Sequence, residues 1–194
     1  MDPELAKLAQ QHGPGFGDHG SRVAILSVAT ARFLGLNERQ IDHLWFSSLI
    51  HDLGKTQLDP TILTKPTRLT HEETAAVQEH PQVGHDRIAH MVHPAVADAV
   101  LCHHERWDGS GYPHGVRGKS IPLFSRIIYV ADAYDVMTTG RDYRPGLGIR
   151  DAGAELSTWS GRQFDPEIVN AFASIDRDLL SPRWDGTEHH HRHH

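Results

Sequence analysis

The stretch His103-His104-Glu105-Arg106-Trp107-Asp108-Gly109-Ser110-Gly111-Tyr112-Pro113 follows directly on an apolar run that includes Val96, Val100 and Leu101. Two neighbouring histidines rarely make a core unit, because each ring carries nitrogens that need partners. A metal ion satisfies both; a polar helix end is the alternative. Upstream lies His51-Asp52-Leu53-Gly54-Lys55, and downstream lies Asp132-Ala133-Tyr134-Asp135-Val136-Met137. Imidazole nitrogen and carboxylate oxygen suit zinc, iron, manganese and related ions, and an Asp, with two oxygens, can bridge a pair of them. For His51-Asp52 the alternative is a capping Asp beside a surface His. The other such pair, His85-Asp86, has neither a following Leu-Gly-Lys nor a strongly amphipathic helix before it. Asp132 sits between apolar neighbours, where an unpartnered carboxylate is costly. It binds a metal or pairs with a cation such as Arg126 or Arg141. Asp135, at i+3, lies near its face and can orient a ligand or a water.

The rest of the chain reads as all-α. Asp18 is placed to cap a helix over about 19–34 that is apolar nearly all round, a pattern of burial. Asn37 caps the next, whose Ile41, Leu44, Trp45, Ser48 and Leu49 follow i, i+3, i+4 spacing; it ends near His51-Asp52, with Gly54 as the stop. Thr70 and Glu73 form a capping box. Pro81 and Pro94 fit the first turns of new helices. A further helix spans about 122–137, and Asp165-Pro166 opens a late one through Phe172. Convincing strand alternation is missing, and long loops fall near 55–69 and 105–121. The expected fold is a single helical bundle with a metal centre in its core.

With 194 residues the chain suits one domain with a real core. The glycine-rich segment 11–17 disfavours helix, so 1–17 reads as a flexible leader, 18–188 as the domain, and the histidine-rich 189–194 as a tag-like tail. Nineteen basic residues against 25 acidic ones give a net charge of −6; such a surface is a poor one for duplex nucleic acid. No apolar run approaches the ~20 residues that span a bilayer. The single cysteine, Cys102, excludes an internal disulfide framework and fits a reducing, cytoplasmic setting. Five of the seventeen histidines lie in the tail, leaving twelve to be explained.

The block from His103 through Arg144, and above all Arg126-Ile127-Ile128-Tyr129-Val130-Ala131-Asp132-Ala133-Tyr134-Asp135-Val136-Met137-Thr138, resembles the HD-GYP family, a branch of the HD-domain metal-dependent phosphohydrolases. The similarity covers roughly residues 19 to 173. It implies an HD-type helical bundle that hydrolyses cyclic di-GMP to pGpG, and in some members onward to GMP, through a hydroxide shared by two ions. His19, His51, Asp52 and Asp132 resemble the ligands of one ion; Asp52, His80, His103 and His104 resemble those of the other, with Asp52 bridging. That leaves His12, His43, His71, His85, His90, His93 and His114 as surface or packing residues. Iron or manganese is favoured, with zinc, nickel or cobalt as alternatives. Members that hold a third metal carry a glutamate where this chain has Gly15, so two ions are expected.

By the same resemblance Lys55 lies near the scissile phosphate and shares the catalytic role with Asp52. Arg141 and Arg144 grip phosphate or a guanine edge, which the planar guanidinium fork suits; an exposed cation is the alternative for each. Tyr112 lines the pocket or braces its loop, and Gly111-Tyr112-Pro113 is the place where a diguanylate cyclase or an adaptor would dock. A homodimer is a further partner to consider. Other HD-domain proteins act on mixed cyclic dinucleotides or other nucleotides. Family members usually carry a receiver or sensor domain ahead of this module.

Overall fold

A computed structural model describes residues 16–140 and 145–175. The proposed substrate residues Arg141 and Arg144, the segment 1–15 and the chain beyond 175 lie outside them. Among the described residues nine α-helices run in chain order: α1 (Phe16–Phe33), α2 (Glu38–Ile50), α3 (Pro60–Leu63), α4 (His71–Gln78), α5 (His80–Ile88), α6 (Pro94–Cys102), α7 (Leu123–Thr139), α8 (Ile149–Thr158) and α9 (Pro166–Ser174). Short 3-10 turns cover Leu53–Gln57 and Gly118–Ser120. Among the described residues there is no strand, only an isolated bridge between Ser160 and Phe164.

Helices α1, α2, α6 and α7 form the centre: α1 packs on α2 and α7, and α6 packs on α2, α5 and α7. The main core joins Val23 and Leu26 of α1, Leu44 of α2, Ile127, Ile128 and Tyr134 of α7, Leu156 of α8 and Ile168 and Phe172 of α9. A smaller cluster of Ile50, Leu53, Ile88, Val96 and Val100 lies under the 3-10 turn that follows α2. The metal-ligand candidates stand beside these two clusters.

Local sequence sets the helix ends. Asn37 and Gln40 form a reciprocal capping box on α2, and Thr70 and Glu73 do so on α4. Pro81, Pro94 and Pro166 occupy first-turn positions of α5, α6 and α9. The Asp165 side chain accepts from the Glu167 amide and also from Arg126 Nη1 at 2.6 Å.

Several expectations need correction. Helix α1 begins at Phe16, so Asp18 lies in its first turn and does not precede it. Phe33 is exposed at its end, and Trp45 of α2 is also exposed, no described element covering either position. The loop near 55–69 contains part of a 3-10 turn and the one-turn helix α3. Helix α7 starts one residue after Pro122, which is its N-cap. Gly54 is not a left-handed helix stop: a β-carbon there would sit 2.0 Å from the His80 carbonyl oxygen. Its role is to let the 3-10 turn touch the start of α5. Helix α8 has no counterpart in the sequence reading. Arg126 is committed to Asp165 and is not the partner of Asp132.

Two glycine substitutions should separate sharply. Gly153 lies within α8 with open space where a side chain would go; Gly153→Ala should stabilise by about 0.5–1 kcal/mol, because alanine is the better helix former. Gly54→Ala should lower the thermal midpoint strongly, because it forces α5 away from the 3-10 turn. Paired thermal denaturation curves read both.

Candidate metal centre

Seven side chains converge from five places in the chain. His19 comes from α1. His51 is the C-cap of α2, and Asp52 is the N-cap of the 3-10 turn. His80 opens α5, His103 is the C-cap of α6 with His104 next to it, and Asp132 lies within α7. They fall into two groups whose candidate ligand atoms lie within 4.8 Å of one another: Asp52, His80, His103 and His104, and His19, His51 and Asp132. The left-over histidines of the described residues, His43, His71, His85, His90, His93 and His114, join neither group. His43 and His93 instead stack on each other, and His93 caps α6.

Three of the imidazoles are oriented in one way. His51 Nδ1 lies 2.7 Å from the Ser48 carbonyl oxygen, His80 Nδ1 is 2.6 Å from that of Val77, and His103 Nδ1 is 2.6 Å from that of Val100. A carbonyl only accepts, so each Nδ1 carries the proton and donates it. In the neutral ring Nε2 is then a bare lone pair, and in all three it points inward.

Asp52 stands between the groups. Its Oδ1 is 3.3 Å from His80 Nε2 and 3.6 Å from His103 Nε2. Its Oδ2 is 3.6 Å from His51 Nε2 and accepts a hydrogen bond from Lys55 Nζ at 2.6 Å. Burial works against its charge, but His51, Lys55, His103 and His80 hold the carboxyl well below the usual carboxylate range. Burial pushes His103 down to about 4 against the hydrogen bond of Asp52, and burial with His103 beside it also lowers His104.

On the other side His19 is bracketed by carboxylates. Its Nδ1 meets Asp135 Oδ2 at 2.7 Å and its Nε2 meets Asp132 Oδ1 at 3.2 Å. Arg22 Nη2 donates to the same Asp135 at 3.0 Å, and its Nε donates as well. Asp135 therefore orients His19, as its place one turn beyond Asp132 suggested. Burial alone would lower the His19 pKa; the hydrogen bonds of Asp132 and Asp135 overcome it and raise it to about 10. Burial alone would raise Asp132, yet the His19 contact takes it down to about 2.

The donor set fits divalent cations, and two observations show it. His80 Nε2 and His103 Nε2 lie 3.1 Å apart, both lone pairs once their Nδ1 protons are committed. Such a contact is relieved by a positive charge between the rings, a proton or a metal ion. His51 Nε2 and Asp52 Oδ1 are buried with no hydrogen-bond partner, although buried polar atoms are rarely left so. Imidazole and carboxylate together suit first-row ions such as iron, manganese, nickel, cobalt or zinc.

The loop after His104 folds back over it. Tyr112 stacks on the His104 ring with centroids 4.9 Å apart, and its amide donates to the His104 carbonyl oxygen at 3.3 Å. Gly111 is required for that approach: a β-carbon would lie 2.3 Å from the Arg106 nitrogen. Burial raises the Tyr112 phenol, which stays neutral. Sequence reasoning gave no role to three residues here. Arg22 lies one turn after His19 and pairs with Asp135. Gly20 lets α1 approach α2, where a β-carbon would meet the Leu49 carbonyl oxygen at 2.8 Å. Glu105, buried between the ligand pair and the glycine loop, carried a signal only in that placement.

The HD-domain family matches residues 3–168. The chain belongs to the HD-domain family and, within it, to the HD-GYP group. It is 35% identical over 164 residues to a cyclic di-GMP phosphodiesterase of Thermotoga maritima, covering 83% of this chain and 45% of that protein. It is 32% identical over 184 residues to the 3'3'-cGAMP-specific phosphodiesterase 2 of Vibrio cholerae, covering 93% of this chain and 34% of that one. Among solved structures it resembles Bd1817 of Bdellovibrio bacteriovorus, described as an HDG"Y"P protein, with a TM-score of 0.66 at 22% identity over 81% of this chain and 51% of that one; this likeness supports the fold. The chain spans less than half the length of the two curated relatives. No described helix is long and apolar enough to cross a membrane.

Chelator-treated protein should be most heat-stable in mildly acidic buffer. The His19 pKa stands above its ordinary 6.5, so its contribution is complete below 6.5 and disappears as pH rises through about 10. Asp132 and Asp135 stand below their ordinary 3.8, so theirs is present above 3.8 and lost as pH falls. His103 and His104 stand below 6.5, so their contribution is present above 6.5 and lost as pH falls below it, and thermal midpoints of metal-free protein should therefore peak near pH 6.5. A midpoint that climbs steadily from pH 6.5 to 10 contradicts this charge arrangement.

Proposed function

We propose that the protein is a metal-dependent phosphodiesterase that hydrolyses cyclic di-GMP to pGpG. The observation that carries the reading is Asp52 set between two histidine groups, with one oxygen toward His80 and His103 and the other toward His51. His19, His51, Asp52 and Asp132 would hold one ion; Asp52, His80, His103 and His104 would hold a second. Iron and manganese are favoured. Bound there, divalent ions supply Lewis acidity, neutralising charge on phosphoryl oxygens and making water acidic enough to attack phosphorus near neutral pH.

The chain's own residues supply placement. The backbone carbonyls of Ser48, Val77 and Val100 fix three imidazoles so that no rotation is needed on binding. Lys55, 2.6 Å from Asp52 Oδ2, stands where its ammonium can hold a phosphoryl oxygen or pass a proton to the departing ribose oxygen. Tyr112, flat against His104, gives the site an aromatic wall. Arg141 and Arg144 are proposed to hold phosphate or guanine.

A second substrate, 3'3'-cGAMP, is kept in view by the Vibrio cholerae relative named for it. A diguanylate cyclase or adaptor, if one docks on the Gly111-Tyr112-Pro113 loop, would meet exposed Ser110 and His114, because Tyr112 is turned inward.

Metal-loaded protein should convert cyclic di-GMP to pGpG and prefer it over 3'3'-cGAMP in a competition assay read by chromatography. Asp52→Ala should lower kcat by roughly a thousandfold or more, since both ions lose a shared ligand. Metal-replete protein that binds cyclic di-GMP tightly and never cuts it would falsify the proposal.

A further inference from the structure

Glu105 is buried, 2% exposed, yet it is not one of the metal-ligand candidates. It leaves the end of α6 directly after the His103-His104 pair. Its Oε1 accepts from the His114 amide at 2.7 Å and from the Gly115 amide at 3.1 Å. Those amides belong to the two residues that follow Tyr112-Pro113. The loop is thus pinned on both sides of the tyrosine: behind it by the Tyr112 amide on the His104 carbonyl oxygen, and ahead of it by Glu105. Farther out it is tied to the segment before α9, where Trp107 and Asp108 amides donate to the Gln163 and Arg162 carbonyl oxygens. The other Glu105 oxygen, Oε2, is buried without a partner. A buried carboxyl group with one unpartnered oxygen is costly, so packing alone gives little reason for a polar side chain at this position. The clamp on the loop gives one.

We infer that Glu105 is a positioning residue of the proposed phosphodiesterase site: it holds residues 114 and 115 so that the Tyr112 ring stays flat on His104 and presents a fixed aromatic wall to the substrate. It acts through Tyr112 and touches neither metal nor substrate. The inference rests on the function proposed above.

Three variants test it. Glu105→Gln keeps an acceptor for both amides. Glu105→Met fills similar space and removes the acceptor, so packing is kept while the clamp is lost. Tyr112→Ala removes the wall itself. With metal-loaded protein and cyclic di-GMP, Glu105→Met should raise KM on the order of tenfold with a smaller change in kcat, the expected size for losing two hydrogen bonds to the loop. Glu105→Gln should stay near the parent protein, and metal content should be the same in all. In the Tyr112→Ala background Glu105→Met should add nothing, because coupled residues are non-additive. Hydrogen exchange at the His114 and Gly115 amides and the NMR shifts of the Tyr112 ring should change in Glu105→Met and not in Glu105→Gln.

A parent-like KM in Glu105→Met, additive effects of Glu105→Met and Tyr112→Ala, or loss of metal on Glu105→Met each overturns the inference. If the parent protein itself neither binds nor cuts cyclic di-GMP, the proposed function fails instead. The exchange and ring-shift measurements then decide the clamp alone, and unchanged values in Glu105→Met overturn it as well.

Discussion

One constraint governs this molecule: a carboxylate and several imidazoles meet in its interior with acceptor atoms facing one another. The Nδ1 hydrogens of His51, His80 and His103 already donate to backbone carbonyls. The inward face is therefore electron-rich, and low dielectric makes unpaired charge there expensive. The helices deliver these groups from their ends. His51 and His103 close α2 and α6, and His80 opens α5, so each side chain is fixed by a helix terminus that would otherwise need capping.

Close backbone packing makes that convergence possible. Gly54 allows the turn carrying Asp52 to rest on the start of α5, and Gly20 allows α1 to settle against α2 beside His19. Both stand next to the chemistry without taking part in it. The same logic extends to the loop beyond His104, where Gly111 lets the chain double back and Tyr112 covers the ring.

Much of this was legible in the residues. Helix starts were, because Asn37, Thr70, Pro81, Pro94 and Asp165 act through local bonds or fixed backbone angles that do not depend on the rest of the fold. The seven ligand candidates followed from the resemblance of the strings around His19, His51-Asp52, His80, His103-His104 and Asp132, and the structure brings the same residues together in two groups, with Asp52 grouped with His80, His103 and His104. What escaped was long-range. Gly54 looked like a helix stop, since its real reason, the His80 carbonyl, lies in another element. Trp45 fitted a buried stripe by spacing alone, yet nothing in the described structure packs over it. Arg126 was a natural partner for Asp132 by proximity in sequence, but the buried Asp165 claims it from 39 residues away. Glu105 and Arg22 carry no local signature, because each is defined by the groups it reaches across the fold.

His19 and Asp132 lie more than a hundred residues apart along the chain, on α1 and α7. An ion gripped by both would serve as a removable staple between the first and last central helices. Staples of that reach act chiefly on the unfolded chain, whose freedom shrinks with the logarithm of the loop they close. Cellular metal supply would then set how long the domain survives proteases, as well as whether it turns over substrate.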